Sequence, residues 1–159
     1  MTAFAKGSRT SKWLLKNADE IAQQDADVYV VAIGTNDIRY RNEKICAMTS
    51  DDYVETLRSF VNRIHEHNAN AKFVFIAPWT STDGDKNSRL DYDDKMAMNE
   101  EYSKALAEYC REQGFLFVDP NSRINSILRL YPDSRYLVDF IHPNSMNGIQ
   151  LYSESVLLP

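Results

Sequence analysis

Runs of apolar and β-branched residues mark three predicted strands in the chain. Residues 27–34 read DVYVVAIG, residues 72–78 read KFVFIAP, and a weaker run, FLFVDP, occupies residues 115–120. Apolar runs of this length, without a polar residue at every second position, are typical of parallel strands that helices cover on both sides. The pattern therefore predicts a parallel sheet whose first two strands are buried on both faces.

Segments with helical periodicity separate these strands. Residues 50–67 repeat apolar side chains at helical spacing, and Ser50 with the two aspartates after it supplies an N-cap and an acidic first turn. The next periodic segment ends at Gly114, a typical C-terminal stop. This alternation predicts one three-layer α/β/α domain over residues 1–159, with right-handed crossovers. The predicted helices occupy residues 11–23, 50–67 and 91–113, and a last one begins at about residue 145.

The composition excludes two classes of function. The 18 Lys and Arg residues are interspersed with 23 Asp and Glu residues, and the net charge is -5, whereas nucleic-acid binding needs clustered cations. No apolar run approaches the roughly 20 residues of a membrane span. The N-terminal residues lack the apolar core of a signal peptide, which favours a cytoplasmic location for this chain. Cys46 and Cys110 have no metal-type spacing and are predicted to be reduced and structural.

The loop after the first strand is one candidate for chemistry, because ligands of open parallel sheets bind beyond the carboxyl ends of the strands. It reads GTND. Gly34 permits a tight turn, and the amide of Asn36 can donate a hydrogen bond towards a developing negative charge. The alternative is that Asn36 and Asp37 only form a turn or cap a helix.

The loop after the second strand, residues 78–94, is long and polar with a tryptophan at its root. Loops of this length in a compact domain are usually functional. Trp79 either walls a substrate pocket or covers the edge of the sheet, and the sequence leaves both open. The aspartates of this loop lack the glycine and glutamate placement of a calcium-binding EF-hand, so we expect no metal and no cofactor. They are Asp83, Asp85, Asp91, Asp93 and Asp94.

Near the C-terminus, Asp139 precedes His142 by three positions in the stretch DFIHPN. A carboxylate at this spacing can orient an imidazole and stabilise its protonated form, as in nucleophilic hydrolases. The alternative is a surface histidine in a loop that a proline ends. The pair alone does not decide between these interpretations.

Taken together, the two motifs resemble those of the SGNH, or GDSL-type, hydrolase family. Members of that family carry a GxND block after a strand and a DxxHP block near the last helix, and GTND and DFIHPN occupy those two places here. The resemblance spans about residues 7–148. It implies a flavodoxin-like α/β fold and the hydrolysis of small esters.

The resemblance also implies a role for each matching residue. His142 would be the general base, and Asp139 would orient it. The side chain of Asn36 and the backbone N–H of Gly7 would stabilise the oxyanion, and Asp37 would be a structural partner of the GTND loop.

The nucleophile block of the family is absent from this sequence. Members carry a serine in a GDS-type motif at the end of their first, central strand, and this chain contains no GDS and no predicted strand before Gly7. Ser8 is a nearby substitute, but its surroundings match the second block of the family, whose glycine serves the oxyanion hole. We therefore expect an N-terminally incomplete domain: a fragment, a shortened gene product, or a form whose first strand comes from elsewhere.

Two functions of different classes follow from this interpretation. The favoured one is an esterase or acyl hydrolase that acts through a serine acyl-enzyme on a small ester, such as an acetylated carbohydrate or a short acyl chain. The alternative is a non-catalytic module that binds a carbohydrate or a protein partner. A missing central strand would leave the first predicted strand unpaired on one edge, which predicts self-association through that edge.

Overall fold

Three parallel strands form the sheet in the computed structural model, which describes residues 2–158. The strands are β1 (Val28–Ala32), β2 (Lys72–Ile76) and β3 (Leu116–Val118), in the order β1-β2-β3. Val28 pairs with Lys72, and Val74 pairs with Leu116. Each strand is followed by a helix before the next strand begins, so the predicted α/β fold with parallel neighbours is confirmed.

Seven α-helices accompany the sheet in the described residues. The two longest, α4 (Ser50–His67) and α5 (Tyr92–Gln113), were predicted from their periodicity, and α4 covers the same residues as the prediction. Their apolar faces pack with the inward side of the sheet, where Phe73 and Phe75 are almost fully buried. The helices are α1 (Ser11–Lys16), α2 (Ala18–Ala22), α3 (Thr35–Tyr40), α4 (Ser50–His67), α5 (Tyr92–Gln113), α6 (Asn121–Leu130) and α7 (Gly148–Leu157).

Several predicted helix boundaries are wrong. The predicted first helix is two helices that meet at Asn17, whose Nδ2 donates to the carbonyl of Trp13 and ends α1. The N-cap of α4 is Thr49, whose hydroxyl accepts from the N–H of Asp52, and not Ser50. The last helix begins at Gly148, three residues after the predicted start. The sequence did not predict α3 or α6. The residues of α3 have the composition of a loop, and α6 follows the weakest predicted strand.

The prediction that β1 is buried on both faces is also wrong. Its residues alternate, with Tyr29 and Val31 buried and with Val28 and Val30 exposed by 51% and 64%. One edge of β1 pairs with β2, and no strand among residues 2–158 pairs with the other edge. A groove of about 620 Å³ runs beside this strand, between β1 and residues 2–6, which form no helix or strand. We call it the β1 groove; Phe4, Trp13, Leu14, Val28, Val30 and Ile33 line it.

Candidate active site

A cleft of about 570 Å³ opens at the carboxyl ends of β1 and β2. This is the position at which parallel sheets bind ligands. All five residues predicted to form the site line the cleft, although they come from four separate parts of the chain. They are Gly7, Asn36, Trp79, Asp139 and His142.

The α3 side of the cleft depends on a tight turn at Gly34. This residue has a φ of 120°, which strongly favours glycine, and a Cβ there would lie 3.0 Å from both the Cβ of Pro78 and the Oη of Tyr53. The turn places Asn36 in the first turn of α3, where its Nδ2 donates to the carbonyl of Arg9 at 3.0 Å. An amide nitrogen carries two hydrogens, so Asn36 keeps one that is not used in this bond.

Asp37, the next residue of the motif, lies beneath the cleft and lines no part of it. Its carboxylate accepts hydrogen bonds from the backbone N–H of Ser11 at 2.9 Å, the hydroxyl of Ser11 at 2.6 Å and the N–H of Ala47 at 2.9 Å. Burial raises the pKa of the Asp37 carboxyl, and these hydrogen bonds act in the opposite direction. The residue therefore ties α3 to α1 and to the segment before α4, as a structural partner would.

The two oxyanion candidates, Gly7 and Asn36, are connected through the backbone near Arg9. Gly7 lies in an exposed turn just before it, and no described residue accepts a hydrogen bond from the Gly7 N–H. Asn36 is bonded to the carbonyl of Arg9, two residues later. The bond from Asn36 therefore fixes α3 to the chain two residues after Gly7, and both candidate donors line the cleft.

Asp139 and His142 form a hydrogen-bonded pair that lines another part of the cleft. The Oδ2 of Asp139 lies 2.8 Å from the Nδ1 of His142, which is the predicted contact, and Nε2 is left without a partner among residues 2–158. The Oδ1 of Asp139 accepts from the backbone N–H groups of Ile141 and His142, each at 2.8 Å. Partial burial opposes ionisation of Asp139, but these hydrogen bonds outweigh it and lower its pKa to about 2.

The pair lies in a turn, residues 137–143, that its own backbone closes. Leu137 forms a bridge with Pro143, and the N–H of Val138 donates to the carbonyl of His142 at 2.9 Å. We call this segment the dyad turn. The side chains of His142 and Asp139 are 69% and 46% exposed, so the imidazole is accessible from the cleft.

Trp79 lines the cleft, and its side chain is only partly buried. This position favours the interpretation that it walls the pocket over the interpretation that it covers the sheet edge. Its ring meets that of Tyr152 edge to face at 5.2 Å, and its carbonyl accepts from the hydroxyl of Thr35 at 2.8 Å. Tyr152, Arg39 and Asn87 also line the cleft and were not predicted. No short motif marks them, because each reaches the cleft only through the tertiary fold.

Ser8 lines the same cleft and is exposed, with a φ of 57°. It lies in the turn after Gly7, and no hydrogen bond joins its hydroxyl to His142. Within residues 2–158 there is no cluster of three or more His, Cys, Asp or Glu side chains suited to a metal ion. None of the described helices is long and apolar enough to cross a membrane.

Comparison with known proteins identifies relatives of this arrangement. A model of the GDSL-like Lipase/Acylhydrolase family matches residues 2–146. No sequence among the curated proteins matches the chain significantly.

Three solved structures resemble the chain in fold. They are a mutant of Axe2, an acetylxylan esterase from Geobacillus stearothermophilus (21% identity, TM-score 0.72), a candidate GDSL-like lipase from Parabacteroides merdae (22%, 0.75), and LAE5, an alpha/beta hydrolase enzyme from the metagenome of Lake Arreo in Spain (19%, 0.69). Each match covers 93% of this chain and 66% of the other. The chain thus spans about two thirds of the length of these structures, and at these identities the likeness is one of fold.

Proposed function

The chain belongs to the GDSL-like lipase/acylhydrolase family, and from this premise we propose that it supplies the general base and the oxyanion donors of a serine ester hydrolase. The observation that carries the proposal is the shared cleft, which is lined both by the hydrogen-bonded pair of Asp139 and His142 and by Asn36. A base and oxyanion donors that line one cleft can act on the same ester carbonyl.

His142 is the proposed general base. Its Nδ1 contacts Asp139, so a carboxylate holds the tautomer in which Nε2 can accept a proton from a serine hydroxyl. Two catalytic mutants of Axe2 replace an aspartate and a histidine that are three positions apart, the spacing of Asp139 and His142. After the serine attacks the carbonyl carbon, His142 returns the proton to the leaving alcohol. Water then hydrolyses the acyl-serine with the same base.

The oxyanion of the tetrahedral intermediate is stabilised by two proposed donors, the Nδ2 of Asn36 and the backbone N–H of Gly7. Each has a hydrogen that no described residue accepts, and both residues line the cleft. Loss of one such donor typically raises the barrier by about 2.7 to 4 kcal/mol.

We propose that the nucleophile is delivered by a further strand bound in the β1 groove. The groove lies between β1 and residues 2–6, and it runs along the edge of β1 that no described strand pairs with. It also opens into the cleft, because Lys6, Arg9 and Ile33 line both. A parallel strand in the groove would therefore end beside His142, where a serine in a GDS-type turn could act. Another catalytic mutant of Axe2 replaces a serine.

The proposed substrate is a small ester, such as an acetylated carbohydrate or a short acyl chain. Trp79 and Tyr152 offer an aromatic wall on which a sugar ring can pack, and the cleft is large enough for a small ligand. The alternative function is a module that binds a carbohydrate or a protein partner without catalysis. It is favoured by one observation, the absence of a serine bonded to His142 in the described residues.

A complementation experiment tests the proposal. The chain alone should hydrolyse p-nitrophenyl acetate scarcely above background. A synthetic peptide of alternating β-branched residues that ends in Gly-Asp-Ser should raise the rate, and the same peptide ending in Gly-Asp-Ala should not. With the active peptide, His142→Gln should lower kcat by about a thousandfold or more, because the triad acts as a unit.

Two outcomes would change the conclusion. Binding of the peptide can be monitored by the fluorescence of Trp13, which lines the groove. If the peptide binds but none of a series of acyl esters is hydrolysed, the binding-module function replaces the hydrolase. If the chain alone is fully active and Ser8→Ala abolishes that activity, Ser8 is the nucleophile and the strand is not needed.

A further inference from the structure

The loop that joins β2 to α5, residues 77–91, contains a buried ion pair with α3. The Nε and Nη2 of Arg39 donate to the two carboxylate oxygens of Asp85 at 2.6 and 3.1 Å. The side chain of Asp85 is fully buried, and that of Arg39 is 11% exposed. Paired hydrogen bonds between a guanidinium and a carboxylate fix the orientation of both groups, so this contact sets where the loop lies on α3.

A second buried cation fastens the same loop to α5. The ammonium of Lys95, which is 1% exposed, donates to the hydroxyl of Ser81 at 3.1 Å and to the carbonyl of Thr82 at 2.9 Å. The N–H of Arg89 donates to the carbonyl of Arg39 at 2.9 Å and closes the other end of the loop. The loop is therefore held at three points, despite its polar sequence.

The held loop touches the dyad turn directly. The N–H of Thr82 donates to the carbonyl of Phe140 at 2.9 Å. Its hydroxyl donates to Asp133, just before the turn, at 2.6 Å. Gly84 lies against the ring of Phe140 so closely that a Cβ there would be 2.4 Å from the ring carbon Cδ1. Phe140 lies between Asp139 and His142 in the chain, so its position fixes theirs.

We propose that Arg39 and Asp85 are positioning residues, which hold the β2–α5 loop against Phe140 and thereby keep His142 aligned with Asn36. Asn36 and Arg39 belong to the same helix, so the ion pair ties the loop that supports the base to the helix that carries the oxyanion donor. The catalytic meaning of the alignment rests on the proposed function. The mechanical coupling between loop and turn does not.

The ion pair of Arg39 and Asp85 stays charged over a wide pH range. Burial opposes the charge of Asp85, but the hydrogen bonds from Arg39 and Ser81 outweigh it and lower the pKa of the carboxyl to about 2. The coupling should therefore persist through the whole range above about pH 4. A purely structural ion pair would share this property, so the test needs a readout at the dyad turn itself.

Asp85→Asn is the main variant, because it removes the charge and keeps the shape. The measurement is residue-resolved amide hydrogen exchange by NMR in the intact chain. Exchange at the N–H groups of Ile141 and His142, both bonded to Asp139, should become about tenfold faster. The control is Glu154→Gln, which removes another close ion pair, with Arg123 at 2.6 Å, away from the loop.

Gly84→Ala tests the coupling without touching any charge. The added methyl group must displace the ring of Phe140, so the same two amides should exchange faster while the Arg39–Asp85 contact stays intact. This variant also decides the matter if Asp85→Asn fails to fold. Unchanged exchange at Ile141 and His142 in Gly84→Ala, or in a folded Asp85→Asn protein, would overturn the proposal.

An activity measurement adds a second, separable readout. In the peptide-complemented protein, Asp85→Asn should lower kcat about tenfold with little change in KM, because alignment and not binding is lost. An equal loss in Glu154→Gln would indicate general destabilisation and count against positioning. If no hydrolysis is ever observed, the proposed function fails, and the exchange result still decides whether the loop holds the dyad turn.

Discussion

The α3 helix and the dyad turn both line the same cleft, and each is organised around an aspartate with several hydrogen bonds. Asp37 is fully buried, and burial raises its pKa. Asp139 is half exposed, and hydrogen bonds from Ile141 and His142 lower its pKa to about 2. One carboxylate thus connects three segments of the fold, whereas the other binds only its own turn.

This difference indicates that the α3 side of the site contributes mainly to stability and the dyad turn mainly to chemistry. A general base must be reachable, so the dyad turn lies where solvent and substrate have access, and it depends on neighbours for its position. An oxyanion donor must stay fixed while charge develops, so Asn36 lies on a helix that buried hydrogen bonds anchor. We therefore expect substitutions on the α3 side to reduce stability and substitutions in the dyad turn to reduce activity.

The same substitution at the two aspartates should give the largest contrast. Asp37→Ala leaves the N–H and hydroxyl of Ser11 and the N–H of Ala47 buried without an acceptor, and should lower the free energy of unfolding by about 3–5 kcal/mol. Asp139→Ala should cost less than about 1 kcal/mol, because the side chains of Asp139 and His142 are both largely exposed to water. Urea denaturation followed by circular dichroism measures both, and equal losses would contradict the comparison.

The sequence predicted the strands and long helices well because local periodicity determines them. Residues such as Phe73 and Leu57 repeat at the spacing of their element, and each repeat matches a buried face. It predicted the exposure of β1 poorly, since an apolar strand has the same pattern whether or not another layer covers Val30. The break at Asn17 was missed because a side-chain bond to Trp13, and not a proline or glycine, ends α1.

For the candidate site, the sequence predicted residues in motifs and missed residues brought in by the fold. Asn36 and His142 belong to motifs of fixed spacing, and both line the cleft. Arg39 lies within the first motif's helix, yet its partner Asp85 is 46 positions away in a loop where it looks like any other acidic residue. Long-range pairs of this kind have no local signature, so only the tertiary structure reveals them.

Gly34→Ala should produce the next largest effect, again on the α3 side. A Cβ would meet Pro78 and Tyr53 at 3.0 Å in a backbone conformation that side chains rarely adopt, so we expect a loss of about 2–3 kcal/mol. The control is Gly114→Ala, whose φ is 72° but whose Cβ would meet nothing within 4 Å. It should cost about 1–2 kcal/mol. A smaller loss at Gly34 than at Gly114 would show that the turn can relax.

Substitutions at the open edge of the sheet should change self-association and not the stability of the fold. We propose that the chain self-associates through the unpaired edge of β1, and Val30→Lys should weaken this association about tenfold, or about 1.4 kcal/mol. Analytical ultracentrifugation over a concentration series measures the change. Leu116→Lys is the control, because this leucine is 68% exposed on β3 at the opposite edge. A chain that stays monomeric at high concentration would refute the proposal.

The smallest expected effect is a pH dependence at Asp139. Its pKa of about 2 in the folded protein lies below the value of roughly 3.9 for a free aspartate, so its ionised form stabilises the fold above about pH 4. That contribution is lost as the pH falls towards 2. Because the side chain is half exposed and screened, it should be under about 1 kcal/mol. The stability difference between the native chain and Asp139→Asn should therefore shrink between pH 6 and pH 2.5. A difference that grows on acidification would mean that the hydrogen bonds to the Asp139 carboxylate do not favour its charged form.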